Sequence, residues 1–104
     1  MPGSYRVRLL PEASADLRGI FDYIELDSPQ SATAVARMLI DAVDSLAEFP
    51  HRYKVHRDTH QPRRVVRSMP VPPFILYYRV DDATRLVEVL TIRHGARRQP
   101  KRFK

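Results

Sequence analysis

The chain has 104 residues, of which 18 are Lys or Arg and 12 are Asp or Glu, so its formal net charge is +6. A chain of this length forms one domain, and we expect it over residues 1–104, with a core over about 5–98 and a basic tail over 99–104. The absence of cysteine excludes disulfide scaffolds, cysteine zinc sites, iron–sulfur clusters and thiol nucleophiles. No apolar stretch approaches the ~20 residues of a membrane-spanning helix, and no export signal opens the chain. We therefore expect a cytoplasmic protein without membrane contact.

The charge is divided unevenly along the chain. Residues 1–50 hold four arginines and eight acids, whereas residues 51–104 hold fourteen Lys or Arg and four acids. Arginine outnumbers lysine fifteen to three. Guanidinium groups suit bidentate contacts to phosphate or carboxylate, so we expect an anionic partner to meet the second half. The alternative is a solvated surface that is simply rich in arginine.

The first half reads as a strand followed by two helices. Apolar and charged residues alternate over 5–10, which predicts a half-buried strand. Apolar residues at helical spacing predict a first helix over about 11–26. Ser28 as N-cap and Pro29 at the first helical position predict the start of a second helix. That helix should end near Phe49, because the following proline disfavours right-handed helical geometry there.

The second half reads as a loop and three strands. The polar stretch 51–62 is typical of a loop, and strands are expected over 64–68, 72–80 and 86–94. The acidic stretch 81–84 predicts a hairpin turn whose carboxylates bind local backbone. The order β-α-α-β-β-β predicts an α+β domain in which an αα-hairpin packs on one face of a mostly antiparallel sheet. The other face should hold the arginines.

Several kinds of chemistry lack their residues. Three glycines form no phosphate-binding loop, and no serine lies in a nucleophile elbow. The acids of the two helices are expected on their solvent sides, which leaves no carboxylate pair in a cleft. His51, His56 and His60 invite a metal interpretation, but a loop without rigid supporting residues favours exposed histidines. We expect neither a metal nor a cofactor.

His94 is the candidate for acid–base chemistry. It ends the last predicted strand, while Arg64, Arg67 and Arg79 belong to the two strands before it. Metal-free RNA cleavage needs a base, a proton donor and cations for the developing phosphorane charge. Arginine supplies charge only, so a catalytic role would fall to His94. Alternatively, His94 bonds a nearby backbone carbonyl and orders the C-terminal turn.

The order of elements and several short patterns resemble the RelE/ParE superfamily of toxins from type II toxin–antitoxin, or plasmid-stabilisation, systems. The resemblance runs from Tyr5 to about Arg98. Three stretches carry it: the helix pattern of Ala13, Asp16-Leu17, Ile20 and Tyr23-Ile24; the helix ending Leu46-Ala47-Glu48-Phe49-Pro50; and the closing hairpin of Tyr78-Arg79-Val80 and Ile92-Arg93-His94-Gly95-Ala96-Arg97.

The resemblance implies a function and partners. The His-Gly-x-Arg ending is closer to the ParE branch, whose members act on DNA gyrase without catalysis. RelE-like members instead cut messenger RNA in the ribosome, but the C-terminal tyrosine of that branch is absent because none follows Tyr78. A third interpretation is a nucleic-acid-binding module. The resemblance also implies a cognate antitoxin whose acidic C-terminal segment wraps the toxin in a hetero-oligomer. Expected contact residues are Arg64, Arg67, Arg79, Arg93, His94, Arg97 and Arg98 for the target or antitoxin, and Leu17, Phe21, Leu39 and Val43 for an antitoxin groove.

Overall fold

A computed structural model describes residues 4–57 and 65–96 of the chain. These residues form two helices and five strands, with a short 3₁₀ helix after the second α-helix. In chain order the elements are β1 (Arg6–Leu9), α1 (Pro11–Glu25), α2 (Pro29–Ser45), the 3₁₀ helix (Pro50–Arg52), β2 (Lys54–Arg57), β3 (Val65–Val71), β4 (Phe74–Asp81) and β5 (Leu86–His94).

The five strands form one sheet in the order β1-β5-β4-β3-β2. β1 pairs in parallel with β5, and every other neighbouring pair is antiparallel. The predicted α+β class with a mostly antiparallel sheet is therefore confirmed. At the β4–β5 turn, the backbone N–H groups of Ala83 and Thr84 donate to Asp81 Oδ1, as the acidic turn predicted. A register shift between Tyr77 and Tyr78 marks a bulge in this hairpin.

Local sequence signals place the helix starts. The Ser28 side chain accepts a hydrogen bond from the Ser31 N–H at 3.2 Å, and Pro29 occupies the first helical position of α2. α1 follows β1 almost directly and begins at Pro11, without a side-chain cap. The two helices are joined by only three residues, so they form the expected αα-hairpin.

Three predicted boundaries were wrong. The segment 51–62 was expected to be a loop, but Lys54–Arg57 form the edge strand β2, paired with β3. β3 continues past the predicted end at residue 68 to Val71 and contains Pro70. The pairing of β2 with β3 ends at Ser68. Beyond Ser68 the outer side of β3 has no described neighbour, so a proline is tolerated there. α2 ends at Ser45, before Phe49, because residues 46–48 already turn.

The helices cover one face of the sheet. Leu39 of α2, Leu46 just after that helix, and Leu76, Tyr78 and Val89 of the sheet are fully buried in the main core. The opposite face, called the far face below, carries a smaller buried cluster of Val66, Tyr77 and Leu90. Strand alternation explains the division, because successive side chains point to opposite faces. Neither described helix is long and apolar enough to cross a membrane.

Candidate functional site

An ion-pair network lies on the far face, where three strands meet. Arg8 donates to Glu88 Oε2 at 2.6 Å, and Arg79 Nε donates to Glu88 Oε1 at 2.9 Å. The Glu88 side chain is only 11% exposed, whereas that of Arg8 is 61% exposed. The hydrogen bond from Arg8, followed by that from Arg79, lowers the pKa of Glu88. One buried carboxylate therefore serves two of the guanidinium groups on this face.

A second network joins α1 to β5. Thr91 Oγ1 donates to Asp16 Oδ2 at 2.5 Å, and the Ile92 N–H donates to the same oxygen at 2.9 Å. Arg93 Nε donates to Thr91 Oγ1, and its terminal nitrogen reaches Glu12 at 3.3 Å. The expectation that helix acids lie on the solvent sides was wrong for these two acids. The pairing of β1 with β5 ends at Leu9 and Val89, so the rest of β5 has no described strand on that side. There α1 supplies carboxylate acceptors for the hydrogen-bond donors of β5.

A histidine cluster on the far face was missed by sequence reasoning. His56 Nε2 lies 2.7 Å from Ser68 Oγ, and the His56 ring meets the Tyr77 ring edge-on with centroids 5.8 Å apart. Burial lowers the pKa of His56 and raises the pKa of Tyr77. His56 was expected in an exposed loop, and only the register of β2 against β3 brings it to Ser68. No group of three or more potential metal ligands occurs among residues 4–57 and 65–96.

His94 occupies the exposed end of β5, beside the turn between β3 and β4. Its Nδ1 accepts a hydrogen bond from the Ala96 N–H at 3.1 Å, and its ring contacts Phe74 edge-on at 5.6 Å between centroids. The Nδ1 contact requires an unprotonated Nδ1, which leaves Nε2 to carry the proton of the neutral ring. His94 thus bonds nearby backbone, as its expected structural role requires, but the partner is an N–H group and not the expected carbonyl.

The two predicted arginines that the structure describes, Arg67 and Arg79, do not gather around His94. Arg79 lies on the far face and pairs with Glu88. On β4 it is five residues from Phe74, the residue opposite His94, which corresponds to about 17 Å along the strand. Arg67 lies on the helix side, where it donates to the carbonyls of His51 and Tyr53 at 2.8 and 2.9 Å. The expectation that the far face holds all the arginines was therefore wrong for Arg67. The predicted contacts Arg64, Arg97 and Arg98 lie outside the described residues.

The expected apolar groove exists only in part. Leu39 and Val43 were wrong as groove residues, because the stripe they form on α2 is buried against the sheet at 0% and 8% exposure. Leu17 and Phe21 do line an open depression of about 300 Å³ between α1, α2 and β1. Its other lining residues are Leu9, Ser14, Arg18 and Ala36. The depression thus has a mainly apolar wall with one cationic side chain.

Residues 7–99 match the family described as the ParE toxin of the type II toxin–antitoxin system parDE. The match spans most of the chain. This chain belongs to the ParE toxin family.

Relatives of the toxin carry both names of the superfamily. Toxin RelE2 of Caulobacter vibrioides is 42% identical over 85 residues, which cover 82% of this chain and 89% of the relative. The chromosomal ParDE system of P. aeruginosa contains a chain that superposes with a TM-score of 0.68 at 23% identity, over 88% of this chain and 97% of that one. A chain of the toxin–antitoxin complex RelBE2 of Mycobacterium tuberculosis superposes with a TM-score of 0.61 at 26% identity, over 88% of this chain and 98% of that one. The resemblance to RelE/ParE toxins in sequence and fold is confirmed.

The toxin thus presents two surfaces of different chemistry. The far face combines paired guanidinium groups with the His56 cluster, and the helical side carries the apolar depression beside Arg18. The first surface suits polar or anionic groups. The second suits apolar groups, and one of its lining side chains, Arg18, is cationic.

Proposed function

We propose that this toxin arrests growth by binding DNA gyrase, and that a cognate antitoxin neutralises it in a toxin–antitoxin hetero-oligomer. Membership of the ParE toxin family supports the growth-arresting role. The similar chains in P. aeruginosa and Mycobacterium tuberculosis come from a toxin–antitoxin system and a toxin–antitoxin complex, which supports the antitoxin partner. Gyrase is the target that resemblance to the ParE branch implies.

The observation that supports binding over RNA cleavage is that two predicted catalytic arginines, Arg67 and Arg79, already bind other groups of the toxin. Metal-free RNA cleavage needs a base, an acid and cations converging on one phosphate. Arg79 is instead bound to Glu88, and Arg67 to backbone carbonyls, both well away from His94. Within residues 4–57 and 65–96 this arrangement supports action by binding. Arg64, Arg97 and Arg98 remain proposed target or antitoxin contacts.

The depression beside α1 is the proposed antitoxin site on the helical side. Leu17 and Phe21 would receive apolar side chains of the antitoxin segment, and Arg18 would pair with one of its carboxylates. A segment that folds on binding loses conformational entropy when it binds. Its affinity therefore depends strongly on a few apolar side chains that contribute most of the binding energy. Phe21→Glu should therefore weaken neutralisation. Tyr23→Glu, which changes an exposed aromatic residue outside the depression, is the matched control.

The alternative function is ribosome-dependent cleavage of messenger RNA. It is favoured by the 42% identity to Toxin RelE2. Its candidate residue is His94, which the chain carries at an exposed strand end.

Expression of the toxin in cells without its antitoxin distinguishes the two functions. We expect growth arrest with plasmid DNA that loses negative supercoils and with no new ends in messenger RNA. Arrest with intact supercoiling and new messenger RNA ends that disappear in His94→Ala would establish the ribonuclease instead. Co-expression of the antitoxin should restore growth with wild type and with Tyr23→Glu, but less completely with Phe21→Glu.

A further inference from the structure

Phe49 combines two unfavourable features in the turn after α2. Its backbone is left-handed, with φ 49° and ψ 55°, a conformation that non-glycine residues adopt rarely and that is disfavoured for a bulky side chain. Its side chain is 79% exposed, so it gains little from packing. Pro50 follows, which disfavours the right-handed helical region for Phe49. Glycine or asparagine would satisfy this backbone at a lower conformational cost.

The surrounding turn fixes this conformation through its carbonyl groups. Arg52 donates to the carbonyls of Glu48 at 2.5 Å and Phe49 at 3.0 Å. Tyr78 donates to the Pro50 carbonyl at 2.5 Å. A left-handed residue persists where its surroundings over-determine it, and such residues cluster at functional sites. The turn therefore holds the Phe49 backbone in place while its aromatic ring is exposed to solvent.

The residues that follow Phe49 in the chain indicate what kind of partner its ring would meet. The Arg52 guanidinium is bound to the Phe49 carbonyl and also lies 4.7 Å from the centre of the Tyr53 ring. Lys54 follows and is exposed. An exposed aromatic side chain on a fixed backbone, followed in the chain by two cationic residues, has the composition of a binding hot spot, where the aromatic fills an apolar pocket and the cations meet carboxylates on its rim.

We propose that Phe49 is a target-contact residue of the toxin, inserting into an apolar pocket with an acidic rim on the protein that the toxin inhibits. This inference rests on the proposed function, since it requires a protein target. Phe49 is also not among the residues that line the proposed antitoxin depression, which come from β1, α1 and α2. Target binding and antitoxin binding are therefore expected to respond to different substitutions.

Phe49→Gly and Phe49→Asn provide the test, because both residues accept the left-handed backbone. We expect each variant to keep or raise the midpoint of thermal unfolding, to bind the antitoxin as wild type does, and to lose growth arrest at the expression level where wild type arrests. Affinity for purified gyrase should fall by about tenfold or more, the loss typical of removing an aromatic hot spot. Leu26→Ser removes another large apolar side chain, 84% exposed, and should leave growth arrest unchanged.

Each other outcome overturns the proposal. Undiminished arrest by the Phe49 variants would show that the ring contacts no target, and a lower unfolding midpoint would assign it a packing role. Loss of antitoxin binding would move the residue to that interface. A parallel loss of affinity for single-stranded RNA would indicate stacking on bases. If wild type arrests growth without affecting gyrase, the gyrase assignment fails while the growth assay still tests Phe49; if wild type does not arrest growth, both proposals fall.

Discussion

Replacing Asp16 should destabilise the toxin more than replacing any exposed acid of the helices. The Asp16 carboxylate accepts from the Thr91 hydroxyl and the Ile92 N–H, and both of these residues are 3% exposed. A buried donor without a partner costs about 1–3 kcal/mol, and the hydroxyl can turn while the N–H cannot. We therefore expect Asp16→Ala to lower the free energy of unfolding by about 3 kcal/mol, a large part of the ~5–15 kcal/mol of a typical domain.

Urea unfolding followed by circular dichroism measures this loss. Asp16→Ala should shift the midpoint without changing the slope, because the surface exposed on unfolding is the same. Asp16→Asn keeps one acceptor oxygen and should lose about 1–2 kcal/mol. Asp22→Ala, at an exposed position of the same helix, should change stability by less than about 0.5 kcal/mol. Equal effects of Asp16→Ala and Asp22→Ala would refute the argument that Asp16 completes the hydrogen bonding of β5.

Three further predictions concern other buried polar groups. Tyr78→Phe removes the donor to the Pro50 carbonyl and should cost about 1–2 kcal/mol in the same urea assay; no loss would mean that water replaces the hydroxyl. Burial lowers the pKa of His56 from its ordinary 6.5, so the folded state binds fewer protons and stability should fall as pH drops below 6.5. His56→Gln should flatten that dependence in melts between about pH 5 and 7.5, and an unchanged slope would contradict this assignment. Glu88→Gln should lower the free energy of unfolding by only about 1 kcal/mol at neutral pH, because solvent screens the exposed Arg8. The difference from wild type should vanish in acid, as the pH falls through the lowered pKa of Glu88; a difference that does not change with pH would exclude the ionic contribution.

The sequence predicted most of the fold because its periodic signals agree with the tertiary structure. The Ser28-Pro29 helix start and the Asp81 turn were visible as local chemistry and lie where expected. β2 was not visible, since Val55 is its only apolar residue and the strand exists through backbone pairing with β3. Four residues with one apolar side chain show no alternation from which a strand could be predicted.

The site was less predictable because it depends on register and on which face each side chain occupies. Arg67 and Arg79 belong to adjacent strands, yet they point to opposite faces and bind different partners. Leu39 was recognised as apolar, but periodicity does not distinguish a stripe buried by the sheet from one left open. Asp16 belongs to the helix pattern that resembles the family, and its hydrogen bonds to β5 give that position a physical reason.

Purified gyrase tests the central claim most directly. Wild-type toxin should inhibit supercoiling of relaxed plasmid by gyrase in a concentration-dependent way, and prior mixing with the cognate antitoxin should abolish the inhibition. Gyrase that supercoils at full rate in excess toxin would contradict this claim, as would cleavage of messenger RNA on translating ribosomes by the same preparation.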